Sequence, residues 1–199
     1  MSGLQALRRT LSDLWDESLF IILTGVLGGL LSLLLLPIPF VMAAHYNSAL
    51  RISDRRVVSL RDWFRLGREH LSFFAKWALL AVVVAVVLAG NVYFYLRLTI
   101  EWAWLVGYAV LGLLFTWLLP QPFVPAFYLR QTDRSLRTSL RNTAVLLVAE
   151  PLSILFVWLG TALLAIPVAY FAWPLLPAVV PFLILASTHV VKRYAERDE

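Results

Sequence analysis

What most limits this chain is a series of apolar stretches, most of them near 20 residues long, separated by short connections that hold most of its basic side chains. A helix of about 20 residues crosses the hydrocarbon layer of a bilayer. Stretches at about 19–46, 75–95, 102–128, 152–170 and 174–191 therefore predict an all-α fold, a polytopic transmembrane helical bundle of about five spans in a single membrane domain covering 1–199. With 61% hydrophobic and 15% charged residues, the chain lies well away from the usage of soluble domains, which excludes that class.

The first stretch is long for one span and carries Pro37 and Pro39. A kinked or tilted helix is the expectation, and a re-entrant pair is the alternative. Ahead of it, Leu4, Leu7, Leu11, Leu14, Trp15 and Ser18 oppose Gln5, Arg9, Ser12, Asp13 and Asp16, the pattern of an amphipathic helix at the membrane surface. Residues 1–17 lack an apolar core of the kind a cleaved signal needs. The absence of cysteine removes disulfides, Cys-ligated metal and thiol chemistry.

Position makes the net charge of +5 informative. Segments 51–76, 130–150 and the tail hold seven, four and three Lys or Arg, all on one face if five spans alternate, while Arg8, Arg9 and Arg97 fall on the other. The positive-inside rule then places the C-terminus in the cytoplasm and the N-terminus outside a plasma membrane. If the first stretch is a re-entrant pair, the N-terminus moves inside.

The chain also repeats itself. LPIPFVMA at 36–43 recurs as LPQPFVPA at 119–126, which singles out Pro39 and Pro122. Ser53-Asp54-Arg55 recurs as Thr132-Asp133-Arg134, and Ser59, Leu60, Arg61, Arg65 and Leu71 recur as Ser135, Leu136, Arg137, Arg141 and Leu147. Repeat unit one spans about 19–95, unit two about 102–170, and the last span about 174–191 stands outside them. Two spans per unit make the repeat parallel. Each unit carries an interfacial amphipathic helix, with Arg61, Arg65 and Arg68 opposite Leu60, Trp63, Phe64, Leu71 and Phe74, and with Arg137 and Arg141 opposite Leu136, Leu140 and Leu147. Such helices suit a cytoplasmic interface rich in anionic lipid. They serve either as connectors that fix topology or as a platform for an anionic partner.

Glu150 precedes Pro151 after an apolar run. It is either an intramembrane carboxylate or, since a residue before proline leaves the helical region, the elbow between an amphipathic helix and a span. Its repeat counterpart falls near Lys76, so a Glu150–Lys76 ion pair between the halves is a further expectation. Asn91, Arg97 and Glu101 cluster where spans two and three meet the outer face, and read as a polar outer loop, with a pore gate as the alternative. Gly25, Gly29, Ala81, Ala85 and Ala89 are small residues spaced for close helix approach, and Trp102, Trp104, Tyr170 and Trp173 suit an interfacial aromatic belt. No phosphate loop, nucleophile elbow, metal spacing or paired catalytic carboxylates occur, so no enzyme, cofactor or nucleic-acid partner is expected.

The order of Pro39, Ala43 and Tyr46, a basic turn, SLRDWFRLGREHLSFFAKW at 59–77, and Glu150-Pro151 before a span resembles the YesL-like family of small bacterial membrane proteins, a domain of unknown function. Members are often encoded beside carbohydrate-uptake and polysaccharide-degradation genes. The resemblance implies an accessory role in carbohydrate transport or its regulation; together with the residues it leads to the expectation of a non-enzymatic protein whose partner is a transporter subunit, a second copy or anionic lipid. The alternative is a small oligomeric transporter or channel built from the repeated helix pairs.

Overall fold

A computed structural model describes residues 2–34 and 37–196, and all regular structure among them is helical. Leu36 of the first proline block and Arg197 of the tail lie outside the described residues, as do the side chains of residues 2–6 and Leu14. The helices are α1 (Ser2–Asp16), α2 (Ser18–Ser32), α3 (Ile38–Ser53), α4 (Leu60–Leu66), α5 (Leu71–Arg97), α6 (Ala103–Leu118), α7 (Val124–Arg130), α8 (Leu136–Ala149), α9 (Pro151–Phe171) and α10 (Val179–Ala195). Short 3-10 segments, Gln121–Phe123 and Trp173–Ala178, lead into α7 and α10.

Four segments are long and apolar enough to cross a membrane: α5, Ala103–Arg130 (α6 through α7), α9, and Trp173–Ala195 ending in α10. A fifth arises if α1 and α2, bent by 92° where they join, count as one span. α10 is the central helix, packed against α1, α3, α7 and α9. Its apolar window is 61% buried, against 17% for α5 and 11% for α6–α7, so the α5–α6 hairpin gives most of its surface to lipid. Trp102, Trp104, Tyr170 and Trp173 are all exposed near the ends of their helices.

The stretch at 19–46, expected as a single long span, is two helices lying side by side. Pro37 caps α3 and Pro39 sits in its first turn, where missing N–H groups suit the start of a new helix rather than the continuation of an old one. Small residues then permit the return. A Cβ on Gly28 would lie 2.6 Å from His45 Nε2 and 2.9 Å from Val41 Cγ1, and one on Gly25 would lie 2.5 Å from the Ala178 Cα. Lipid tails are as apolar as leucine, so close approach and hydrogen bonding hold such helices together more than expulsion of water does.

The second proline block stays in line instead. Pro120, Pro122 and Pro125 cannot donate to the turn before them, which frees carbonyls that lipid would leave unsatisfied at several kcal/mol each. Side chains reach neighbouring carbonyls of this segment, two of them from other helices and one from Gln121 within it. Trp158 Nε1 donates to the Leu119 carbonyl at 2.9 Å, Tyr46 Oη to the Pro122 carbonyl at 2.8 Å, and Gln121 Nε2 to the Trp117 carbonyl at 3.0 Å. Trp77 Nε1 in turn holds Gln121 Oε1 at 3.1 Å.

Both repeat turns start their amphipathic helix the same way. Ser59 caps α4 by accepting from the Asp62 N–H, and Ser135 caps α8 by accepting from the Thr138 N–H. Trp63 and Leu66 of α4 are buried while Arg61, Arg65 and Arg68 are exposed; Leu146 of α8 is buried while Arg137 and Arg141 are exposed. The expected stripes hold only in part: Leu60 and Phe64 are exposed, Leu71 and Phe74 belong to the long helix α5 because the chain turns at 67–70, and Arg141 borders a cavity beside α7 and α10.

Candidate functional site

The turn after α3 organises the polar end of the molecule. α3 closes in a Schellman motif, with the Arg56 N–H donating to the Arg51 carbonyl and the Arg55 N–H to the Ile52 carbonyl. Arg55 takes the left-handed position at φ 58° that glycine usually fills. This fold of the turn presents Asp54 to two other helices. Its Oδ1 accepts from Lys192 Nζ of α10 at 2.7 Å and from Arg130 Nη2 of α7 at 3.2 Å. The same cations also hold Ser53, Lys192 through its carbonyl and Arg130 through its hydroxyl. Burial works to raise the Asp54 pKa, but the Lys192 hydrogen bond and the Arg130 charge outweigh it and hold the carboxyl below its usual value.

A second tie joins α1 to the same end, where His189 Nε2 donates to Asp13 Oδ2 at 2.7 Å. Residues before the first apolar helix thus lie beside the C-terminal end of α10. Arg9 and Asp13 share a cavity of about 560 Å3 with Asp54, Arg55, His189 and Lys192. A smaller cavity of about 210 Å3 brings Arg51 and Arg56 to His70 and Arg134. Burial and then the Arg134 charge push the His70 pKa below the ordinary imidazole value, so its neutral Nε2 accepts from Arg134 Nη1 at 3.2 Å. A third cavity, about 400 Å3, opens between α7, α8 and α10. Among the described residues, Arg97 is the cation left at the opposite end.

The residues singled out from the sequence occupy several different places. Arg141 lines the third cavity. Arg65 pairs with Asp62, its neighbour in the capping box, and Arg61 and Arg137 are exposed on the outer faces of α4 and α8. Pro122 supplies the carbonyl that Tyr46 meets, and Pro39 starts α3. The expected Glu150–Lys76 ion pair is not among the ion pairs of the described residues. Glu150 is the elbow between α8 and α9, where its carboxylate accepts from Ser153 Oγ at 2.7 Å across the first turn of α9, and Lys76 is exposed on α5.

Sequence reasoning passed over Asp54, Lys192, Arg130, Asp13 and His189 as members of one cluster. The signal present was the doubled Ser-Asp-Arg and Thr-Asp-Arg block, which marks the turn but not its partners. The partners lie 76 and 138 residues away. Carboxylates and cations alternate around these cavities, with Asp13, Asp54 and Glu196 beside Arg9, Arg55 and Lys192, so the arrangement ties helix ends together. Comparison of the chain with family models, curated proteins and solved structures finds no match in any of the three.

Proposed function

We propose that this chain is a non-enzymatic, multi-pass accessory protein of the plasma membrane that turns its basic end to the cytoplasm and serves carbohydrate transport or its regulation. The observation that carries the reading is the gathering of α1, the turn after α3, the end of α7 and the end of α10 around Asp54, Lys192 and the Asp13–His189 pair. The positive-inside rule then favours a cytoplasmic position for that end, with residues 9–17 and 189–196 on the same side of the membrane. The resemblance to YesL-like proteins supports the transport context. A docking role agrees with the interior as well: the space beside His45 and Ser48 measures about 10 Å3, room for about one water and not for a sugar.

The test uses the cysteine-free background. Ser12→Cys and Val57→Cys are expected to label together from the cytoplasmic side with an impermeant maleimide, and Thr99→Cys from the other. Labelling of Ser12→Cys and Val57→Cys from opposite sides would overturn the orientation. Cross-linking in native membranes is expected to capture a transporter subunit, and recovery of the chain with itself alone would overturn the accessory role.

A further inference from the structure

The cavity between α7, α8 and α10 differs from its neighbours in charge. Among the described residues Arg130 and Arg141 are its charged lining and no carboxylate lines it, whereas the cavity of about 560 Å3 sets Asp13, Asp54 and Glu196 against its cations. Its arginines also have donors to spare. Arg141 makes no salt bridge among the described residues. Arg130 spends Nη2 on Ser53 and Asp54, but its Nε–H is buried with no acceptor. The rim between them is pinned, because Gln131 Nε2 donates to the Ser135 carbonyl at 3.0 Å and to Ser139 Oγ at 2.8 Å, while Asn142 Nδ2 donates to Gln131 Oε1 at 3.3 Å.

The cations adjoin an apolar track. Arg141, Val145 and Val148 recur at i, i+4 and i+7 on α8, so they share one face, and both valines are exposed, Val148 by 83%. Phe127 and Val191 close the inner wall of the cavity. A two-arginine clamp that runs into an exposed apolar stripe matches an amphiphile with a phosphate at one end, and guanidinium groups suit phosphate geometry.

We propose that this cavity is a discrete site for the phosphodiester of an anionic phospholipid, clamped by Arg130 and Arg141, with an acyl chain following Val145 and Val148 along α8. The proposal rests on the reading that the basic end lies at the membrane interface. It goes beyond diffuse attraction because Arg137, one turn from Arg141 on the same helix and also exposed, is not part of the cavity lining.

The test is native mass spectrometry of the full chain in micelles doped with phosphatidylglycerol or phosphatidylcholine, repeated with inorganic phosphate and glycerol phosphate as competitors. One phosphatidylglycerol is expected to be retained, with retention falling about tenfold in Arg141→Gln, the effect of losing one charge-assisted contact, and unchanged in Arg137→Gln. Val148→Ser is expected to weaken phosphatidylglycerol and leave glycerol phosphate unaffected. Equal losses in Arg137→Gln and Arg141→Gln would overturn the site in favour of surface attraction. Displacement of the lipid by either soluble phosphate at similar concentration would overturn the lipid as occupant. Orientation is read separately by the cysteine labels, so a failed clamp and a failed membrane reading give different results.

Discussion

The hydroxyl of Tyr46 donates a 2.8 Å hydrogen bond to the carbonyl of Pro122, joining the returning arm of the first helix pair to the proline break of the second. Tyr46 is buried, so Tyr46→Phe leaves that carbonyl without its donor. A buried acceptor stripped of its partner costs about 1–3 kcal/mol in water-based measurements, and interhelical bonds in membranes average about 0.6. The expected loss is about 1 kcal/mol, seen as a Tm lower by about 2–4 °C in detergent. Tyr93→Phe, at an exposed position on α5, is expected to melt with the native chain. Equal melting of the two variants would show that the bond contributes nothing.

The four long spans were legible because each is a simple count of apolar residues, and the arginine stripes of α4 and α8 were legible because helical period is local. The fate of the first apolar stretch was not. LPIPFVMA and LPQPFVPA share most of their letters, yet one separates two helices that lie side by side and the other stays within a continuous span. What distinguishes them is supplied from outside each motif: Tyr46 and Trp158 meet carbonyls of the second, while Gly28 lets α2 and α3 close against each other at the first. The cluster at Asp54 was hidden for the same reason. An aspartate in a turn shows its cap locally, but its cations come from helices that only the tertiary fold brings near.

Asp54 makes stability depend on acid. Its carboxyl titrates below the usual value in the folded chain, so the stabilisation it gives is present above the unfolded pKa of about 3.9 and is lost as pH falls through the lower, folded value. Asp54→Asn is expected to lower Tm at pH 6 and to converge with the native chain as pH drops from about 5 to below 3.5. The loss stays modest because Asp54 is about a third exposed and water screens the pair. A Tm difference that stays constant across that range would show that the charge on Asp54 is not what holds α3 to α10.

Arg55 occupies the left-handed position of its Schellman motif, which costs a side chain with a Cβ about 1 kcal/mol. Arg55→Gly is expected to raise stability by about 0.5–1 kcal/mol in thermal denaturation. Arg55→Ala removes the same charge but keeps the Cβ, so it isolates the backbone effect and is expected to give no gain. If glycine and alanine behave alike, the change comes from charge and not from relieved strain.

Two glycines in apolar helices should respond in opposite directions to one added methyl group. At Gly28 a Cβ would meet His45 Nε2 at 2.6 Å and Val41 Cγ1 at 2.9 Å, and neither neighbour can retreat easily, since His45 is buried with its ring centroid 5.4 Å from that of Trp63. Overpacking of this kind costs about 1–3 kcal/mol. At Gly112 nothing lies within 4 Å of the added atom, so alanine gains the helix preference of up to about 1 kcal/mol over glycine. Gly28→Ala is therefore expected to lower Tm and Gly112→Ala to leave it unchanged or raise it. Adding Val41→Ala to Gly28→Ala is expected to recover part of the loss, because it removes one of the two contacts that force α2 and α3 apart. Should Gly28→Ala melt like Gly112→Ala, the side-by-side packing of α2 and α3 would be refuted, and with it the placement of residues 9–17 at the basic end.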